Sequence, residues 1–316
     1  MTAENTGSAT LITGAHGMVG QALVKEMRAR GWPGLLLPRR AELNLLDQRA
    51  VDAYIAANRP RYIFHLAARV GGIRANIDAP YAFLSENIVS TLNVLDAALT
   101  HGTERVLFLG SSCVYPREAA QPMTEDALLT GPLEPTNEGY ALAKIVGLRA
   151  LQYAEREGRI RGVAAMPCNI YGTNDTFDFA QSHVLSALVR RFVDAEIEDR
   201  ESVTLWGTGS ARREFIHVHD AARALLLLWD RQYNAEIVNV GTGSDVSIRE
   251  LAELVRAATG FRGELNWDTT QPDGMPRKCV DISRLRALGF HASISLEQGI
   301  VMTIDEYRQR RLAGAV

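Results

Sequence analysis

The sequence predicts an α/β protein: a doubly wound, mostly parallel sheet with a smaller α/β lobe built from its C-terminal part. Two patterns carry that expectation. Short apolar runs alternate with helical stretches between residues 10 and 167, as in parallel strands joined by crossover helices. The first run passes directly into GAHGMVG, a glycine-rich turn that opens a helix. A length of 316 residues leaves room for a complete core and a second lobe.

TLIT (10–13) reads as the first buried strand, and the helix after it runs from about Gln21 to Arg30. Gly14, Gly17 and Gly20 give G-x-x-G-x-x-G between them. A turn there needs positions without Cβ, for unusual dihedrals and for the close approach of a pyrophosphate. The helix N-terminus offers free N–H groups to the same phosphates. This strand–turn–helix context makes a dinucleotide site. The second strand is GLLLP (34–38), and Arg39-Arg40 follow it where many NAD sites carry an acid for the ribose hydroxyls. Two guanidinium groups suit a 2′-phosphate instead, which argues for NADPH over NADH. ELNLLD is expected to run under the adenine, before a helix at 48–58. RYIFHLAARVGG (61–72) reads as a third strand, with Ala67 and Ala68 leaving space for the cofactor. A helix over 81–100 carries Asn87, which can brace nearby backbone or cap locally.

The stretch from Arg105 to Lys144 is the chemical centre. RVLFLGSSCVYP is an apolar strand entering a polar turn at Ser111, Ser112 and Cys113. NEGYALAKIVGLRAL is helical, and Tyr140 and Lys144 share one face of it. Hydroxyl, phenol and ammonium together suit proton transfer at a carbonyl or alcohol carbon. The lysine is expected to lower the tyrosine pKa by favouring phenolate.

IRGVAAMP (160–167) is the next strand and CNIYG a tight loop at its carboxyl end, where open α/β sheets bind ligands. Residues 173–182 read as loop, and a helix starts near His183. VTLWGTGSARREFIHVHD suggests two strands joined by a glycine-bearing hairpin, then a helix capped near Asp220. His217 and His219 flank the second of these strands and are given structural roles, with no third metal ligand in view. Ser247 and Glu250 have capping-box spacing. Asp281 or Ser283 caps a short helix, and EQGIVMTIDEYRQRRL forms a terminal amphipathic one. The dinucleotide-binding domain is expected over 1–168, with 215–240 and 277–290 returning to it. Residues 169–214 and 241–316 mainly build the substrate lobe.

Taken together, GAHGMVG, ELNLLD, AARVGGIRAN, GSSCVYP, EPTNEGYALAK, CNIYGTND, SHVLSALVRRF, WGTGSARREFIHV and RKCVDISRL resemble the extended short-chain dehydrogenase/reductase family along nearly the whole chain. Within it they resemble the branch that epimerises and reduces GDP-linked 4-keto-6-deoxy sugars. The resemblance implies a Rossmann-type fold, NADPH, and a homodimer formed by the helices at 81–100 and 138–157. It assigns Gly14, His16, Gly17, Met18, Val19 and Gly20 to the cofactor turn. Tyr140, Lys144, Pro167, Asn169 and Ile170 complete the cofactor set. Ser111, Tyr140 and Lys144 are the implied reductase residues, with Cys113 and His183 as base and acid of an epimerisation. Ser112, Asn169, Arg191, Trp206, Arg213 and Lys278 are the implied neighbours of the nucleotide-sugar. The chain departs from the family wording at His16 and Pro38, where arginine is familiar, at Gly139, where proline is, and in CNIYG. The alternative is reduction alone, or reduction with one or two inversions, on a related GDP-4-keto-6-deoxy-heptose. A dehydratase would want an acidic pair where SerSerCys stands, and a noncatalytic nucleotide sensor would not need these polar groups.

A formal net charge of -3 gives no electrostatic reason to expect nucleic acid. The three cysteines have neither metal-ligand nor disulfide spacing. Residues 1–9 lack a basic start and apolar core, and the apolar runs are too short to span a bilayer, so cytoplasm is the expected location.

Overall fold

The computed structural model describes residues 8–178, 182–231, 234–271 and 274–314. The first nine elements are β1 (Thr10–Thr13), α1 (Met18–Ala29), β2 (Leu35–Leu36), α2 (Gln48–Asn58), β3 (Tyr62–His65), α3 (Ile73–Asp78), α4 (Pro80–Thr100), β4 (Arg105–Leu109) and α5 (Glu138–Arg156). Then come β5 (Arg161–Pro167), β6 (Asn169–Tyr171), α6 (Val184–Ile197), β7 (Ser202–Trp206), β8 (Arg212–His217), α7 (Val218–Asp230) and β9 (Ile237–Val240). The last are β10 (Asp245–Ser247), α8 (Ile248–Thr259), β11 (Glu264–Asp268), β12 (Arg277–Lys278), α9 (Ser283–Ala287) and α10 (Leu296–Leu312).

Strands β2-β1-β3-β4-β5-β9 form one sheet in that order, and each pairing is parallel. The chain steps outward from β1 to β2, then back across to β3 and onward, the Rossmann-type order. The reversal between β1 and β3 opens a crevice at their carboxyl ends. Helices cover both faces, so β1, β3 and β4 are buried along their whole length. That explains why these runs are apolar without alternation. The core under the sheet takes in α7 and β9, and also Met275, Val280, Ile282, Leu285 and Phe290 from late in the chain. Trp229 packs on Phe64 at a centroid distance of 4.4 Å and lies 4.2 Å beneath the Arg105 guanidinium. Burying one such large side chain contributes about 1.5–3 kcal/mol.

A second core gathers Phe192, Leu188, Val255, Ile304 and Tyr307 from α6, α8 and α10. Its sheet is organised by β8, which pairs antiparallel with β10 and parallel with β12 and β6. Helix α8 opens with the expected Ser247–Glu250 capping box, and α10 with a second one, Ser295–Gln298. In α10 the buried positions Gly299, Ile300, Thr303, Ile304 and Tyr307 recur at helical spacing.

Several local expectations are corrected. CNIYG contains strand β6, not a loop, because β8 supplies a parallel partner for Asn169–Tyr171. No hairpin joins β7 to β8: β7 pairs with β11 and β8 belongs to the other sheet. Both β7 and β8 were legible as strands, but their partners lie far away in sequence. Helix α7 starts two residues earlier than Asp220, capped by His217, whose Nδ1 accepts from the His219 N–H at 3.3 Å. Asp220 instead holds the 293–294 backbone N–H groups, each at 2.9 Å. The strand expected over 61–72 stops at His65, and 73–78 is a separate short helix. Helix α9 is capped by Ile282 without a side-chain bond, although Asp281 accepts from Ser283 N at 2.9 Å. Of the loop expected over 173–182, residues 179–181 lie outside the described residues, as do residues 1–7.

His65 is buried between Thr13 Oγ1, 2.9 Å from its Nδ1, and Thr91 Oγ1, 3.2 Å from its Nε2. Thr13 Oγ1 also accepts from Ala67 N–H at 3.3 Å, so the histidine lies in a chain of buried polar contacts. Burial, helped by Lys144, lowers the His65 pKa from 6.5 to about 3. The unfolded chain therefore binds the additional proton as pH falls from 6.5 towards 3, and folding stability is lost in that window. Each pH unit removes up to about 1.4 kcal/mol. Urea midpoints at pH 7 and pH 5 should diverge more in the wild type than in His65→Gln. His217, lowered to about 4 by burial, keeps a residual slope in the variant. Parallel curves for the two proteins would remove His65 as the cause.

Candidate active site

A cavity of about 320 Å³ opens at the carboxyl ends of β1 and β3. Gly14, His16 and Gly17 line it on one side and Ala67 and Ala68 on another. Pro38, Arg40 and the segment Leu43–Leu46 close a third. Gly14 has φ +72°, and a Cβ there would lie 2.9 Å from Ala67 N. The turn thus needs glycine for both backbone sign and space. A Cβ on Gly20 would meet Gly14 O at 2.1 Å, so that glycine serves the packing of α1 on the turn. Gly17 caps α1, and an added Cβ there would touch only Gly14 O, at 3.4 Å. A bare helix N-terminus at a glycine cradle fits a pyrophosphate, and the exposed Arg40 fits an anionic group on the ribose. These residues fit a bound NADP(H).

The remaining members of the expected cofactor set lie elsewhere. Met18 and Val19 sit half-buried in the first turn of α1. Arg39 is exposed, and its backbone N–H donates to Glu42 Oε2 at 2.6 Å. His16, one of the lining residues, also bonds Leu37 O at 3.0 Å. Pro167, Asn169 and Ile170 follow one another at the end of β5 and the start of β6. Arg69, Glu86 and Ser90 line the cavity and were missed by sequence reasoning. Arg69 and Glu86 pair at 2.8 Å. Asn87 braces the same backbone: its Oδ1 accepts from Arg69 N at 2.7 Å and its Nδ2 donates to Arg69 O at 3.1 Å.

Strand β4 ends in the short 3-10 turn Ser112–Val114, with Ser111 as its cap and its Oγ accepting from Cys113 N at 3.3 Å. Ser112 and Cys113 are buried. Opposite, α5 presents Tyr140 and Lys144. The Lys144 ammonium donates to Leu109 O at 2.8 Å and lies 5.6 Å from the Tyr140 ring centre. Burial pushes the Tyr140 phenol above its usual range, and the neighbouring Cys113 adds to it. This reverses the expectation that Lys144 lowers it: desolvation of the phenolate outweighs attraction to an ammonium already bonded to a carbonyl. Burial lowers Lys144 itself to about 8, opposed by Cys113. Burial also lowers Lys278, and Cys113 opposes it there too. Cys113 is therefore the common electrostatic neighbour of Tyr140, Lys144 and Lys278.

His183 caps α6 and is half-buried. Sequence reasoning missed Asp175 beside it. Burial raises the Asp175 carboxyl, while a bond from Ser186 and the charge of His183 oppose that rise. Asn169 Nδ2 donates to Glu214 O at 2.7 Å. Arg213 and Lys278 are register partners across β8 and β12. Arg191 bonds Thr204 O at 3.0 Å, and burial lowers its pKa. Trp206 at the end of β7 is 60% exposed, so core packing does not account for it.

The NAD dependent epimerase/dehydratase family model matches residues 10–241. A putative GDP-L-fucose synthase 2 of Arabidopsis thaliana is 47% identical over 296 residues, 94% of this chain and 90% of that protein. The GDP-L-fucose synthase of Escherichia coli (strain K12) is 42% identical over 309 residues, covering 95% and 96%. The structure of a GDP-mannoheptose C4 reductase from Campylobacter jejuni with NADP bound superposes with a TM-score of 0.87 at 32% identity. That match covers 95% of this chain and 98% of the other.

The two glycines should separate by experiment. Gly20→Ala is expected to destabilise the fold by about 1–3 kcal/mol, since backbone has to move. Gly17→Ala should leave thermal melting nearly unchanged and weaken dinucleotide binding, measured by titration of NADPH fluorescence. Equal melting temperatures for Gly20→Ala and the wild type would refute the packing role.

Proposed function

The chain belongs to the NAD dependent epimerase/dehydratase family, and on that footing we propose that it is an NADP(H)-dependent, bifunctional epimerase and reductase of a GDP-4-keto-6-deoxy sugar. The substrate favoured is GDP-4-keto-6-deoxy-D-mannose, leading to GDP-L-fucose. The observation that carries this reading is the convergence of Cys113, Tyr140, Lys144 and Lys278 at the carboxyl end of the sheet, beside the dinucleotide cleft. The 1–168 segment with its later returns serves as cofactor domain and the β8-centred lobe as substrate domain.

A 4-keto group acidifies the protons on C3 and C5, because each carbanion is an enolate. Cys113 removes a proton as base, and His183 delivers one to the opposite face. Ser111 and Tyr140 donate hydrogen bonds to the C4 oxygen, where the enolate charge develops. A nicotinamide cofactor held at the Gly14–Gly20 turn would supply the hydride for C4. Tyr140, kept protonated by burial, gives its proton to the C4 oxygen in that step. Lys144 anchors the cofactor ribose from the face of α5 that carries Tyr140. Arg191, Arg213 and Lys278 supply positive charge for the diphosphate, and Trp206 an exposed face for guanine or sugar stacking. The reading needs no membrane partner and favours the cytoplasm. Among the described residues no helix is long and apolar enough to cross a bilayer.

Helices α4 and α5 leave Val89, Leu142, Val146 and Tyr153 exposed. Leu142, Val146 and Tyr153 share one face of α5. That apolar stripe suits a two-fold interface between copies. Leu142→Glu is expected to convert a dimer to a monomer in analytical ultracentrifugation, and a wild-type mass of one chain would dismiss the interface.

In deuterated water the product should carry deuterium at C3 and C5, read by NMR. Cys113→Ser should lose at least about a hundredfold in exchange, and Tyr140→Phe a similar factor in NADPH oxidation. Exchange at neither carbon in the wild type would leave a reductase alone. Full exchange in Cys113→Ser would assign the base elsewhere.

A further inference from the structure

His183 stands at the N-terminus of α6, where aligned peptide dipoles and open N–H groups place positive potential. Such an end disfavours an imidazolium, yet delivery of a proton to carbon requires one. The ring is not spent on the helix, because His183 caps α6 without a side-chain hydrogen bond. The opposing charge is supplied by Asp175. Its side chain is buried, and the Ser186 hydroxyl, in the first turn of α6, donates to its Oδ2. Ser186 lies three residues after His183, on the same side of that turn. Asp175 Oδ1 accepts from Thr176 N at 2.8 Å. Both oxygens thus receive donors, as suits an ionised carboxylate, and neither donor is a backbone N–H of α6. A plain helix cap would bond that backbone. The charge of His183 draws the Asp175 carboxyl down against its burial, and such an attraction is mutual.

The loop carrying Asp175 is clamped by two helices. Asn174 N donates to Glu306 Oε1 at 2.9 Å, Arg310 Nη1 to Asp175 O at 2.9 Å, and Arg190 Nη1 to Phe177 O at 2.8 Å. Phe177 packs on Tyr307 at a centroid distance of 4.7 Å. The charged groups around the carboxylate are Glu306 and Arg310 from α10, and Arg190 and His183 from α6. Glu306 pairs with Arg310, and Arg190 with Asp194. Those pairs balance internally, which leaves His183 as the charge that Asp175 serves.

We propose that Asp175 is a positioning residue for the acid of the epimerisation: fixed against the first turn of α6, its carboxylate stabilises the His183 imidazolium and keeps a deliverable proton at the site. This rests on the reading of His183 as the group that protonates the sugar carbon. A buried carboxylate serves an imidazolium better than an exposed one, because water and salt screen it less. The proton passes from His183 to the carbanion carbon and is replaced from solvent; Asp175 exchanges none.

The test separates two half-reactions. GDP-4-keto-6-deoxy-D-mannose with NADP+ in place of NADPH reports inversion, read by NMR in deuterated water. GDP-L-fucose with NADP+ reports hydride transfer, read by NADPH absorbance, and makes no demand on His183. Inversion depends on the imidazolium, so its rate falls as pH rises. In Asp175→Asn the amide can accept from Thr176 N–H and donate to the Ser186 hydroxyl, so only the charge is lost. The fall should then move to lower pH by about one unit. Inversion at about pH 8 should be about tenfold slower than in the wild type and recover towards about pH 6, with hydride transfer within about twofold throughout. Ser186→Ala loosens the carboxylate and keeps its charge. It should slow inversion by about threefold with hydride transfer intact, and that selectivity decides the matter if the asparagine variant does not fold. Equal losses in both half-reactions in folded variants overturn the assignment, as does inversion in Asp175→Asn that matches the wild type at every pH. A wild type that transfers hydride without inverting defeats the epimerase reading and this assignment with it; an inverting wild type with an unresponsive Asp175→Asn defeats this assignment alone.

Discussion

The bond from the buried Lys144 ammonium to Leu109 O, 2.8 Å long, joins the two halves of the reactive centre. Leu109 is the last residue of β4, and the Ser111–Cys113 turn begins two residues later. Lys144 sits one helical turn after Tyr140 on α5. One charge-assisted contact therefore sets the height of the phenol above the serine–cysteine turn. The lysine is only 3% exposed, and burial brings it down to about 8, near the pH at which proton traffic matters. The same burial drives the Tyr140 phenol up and keeps its proton available. Two adjacent groups of opposite charge type are thus pushed in opposite directions by one cause, loss of water.

A second clip ties the sheet of the first core to the β8-centred sheet. Glu214 is fully buried, and it has backbone donors where an ion-pair partner would stand: Thr242 N at 2.6 Å, Gly243 N at 2.7 Å and Val280 N at 2.8 Å. Burial raises its carboxyl, and these N–H groups oppose that rise. Its own carbonyl receives Asn169 Nδ2. The segments after β9 and β12 are therefore gathered around one side chain, next to Arg213 and Lys278. A Cβ on Gly241 would come 2.2 Å from Glu214 Oε1, which leaves glycine the residue that fits there. Saturated networks hold the framework, as in His65, Asp220 and Glu214.

Much was legible from the chain alone. The glycine turn, the Tyr140–Lys144 spacing, the parallel-strand runs and the Ser247–Glu250 cap follow from local sterics and helical or strand periodicity, which operate over a few residues. Long-range pairing was not legible. Strand β6 exists because β8 runs beside it, and β7 seeks β11 about sixty residues on, not its sequence neighbour β8. The direction of the Tyr140 shift and the placing of Asp175 beside His183 depend on how much water packing excludes. No window of residues encodes that quantity, since it is summed over every element that closes around the group; the sequence determined which groups are present, and the tertiary structure decided which of them share a dry space.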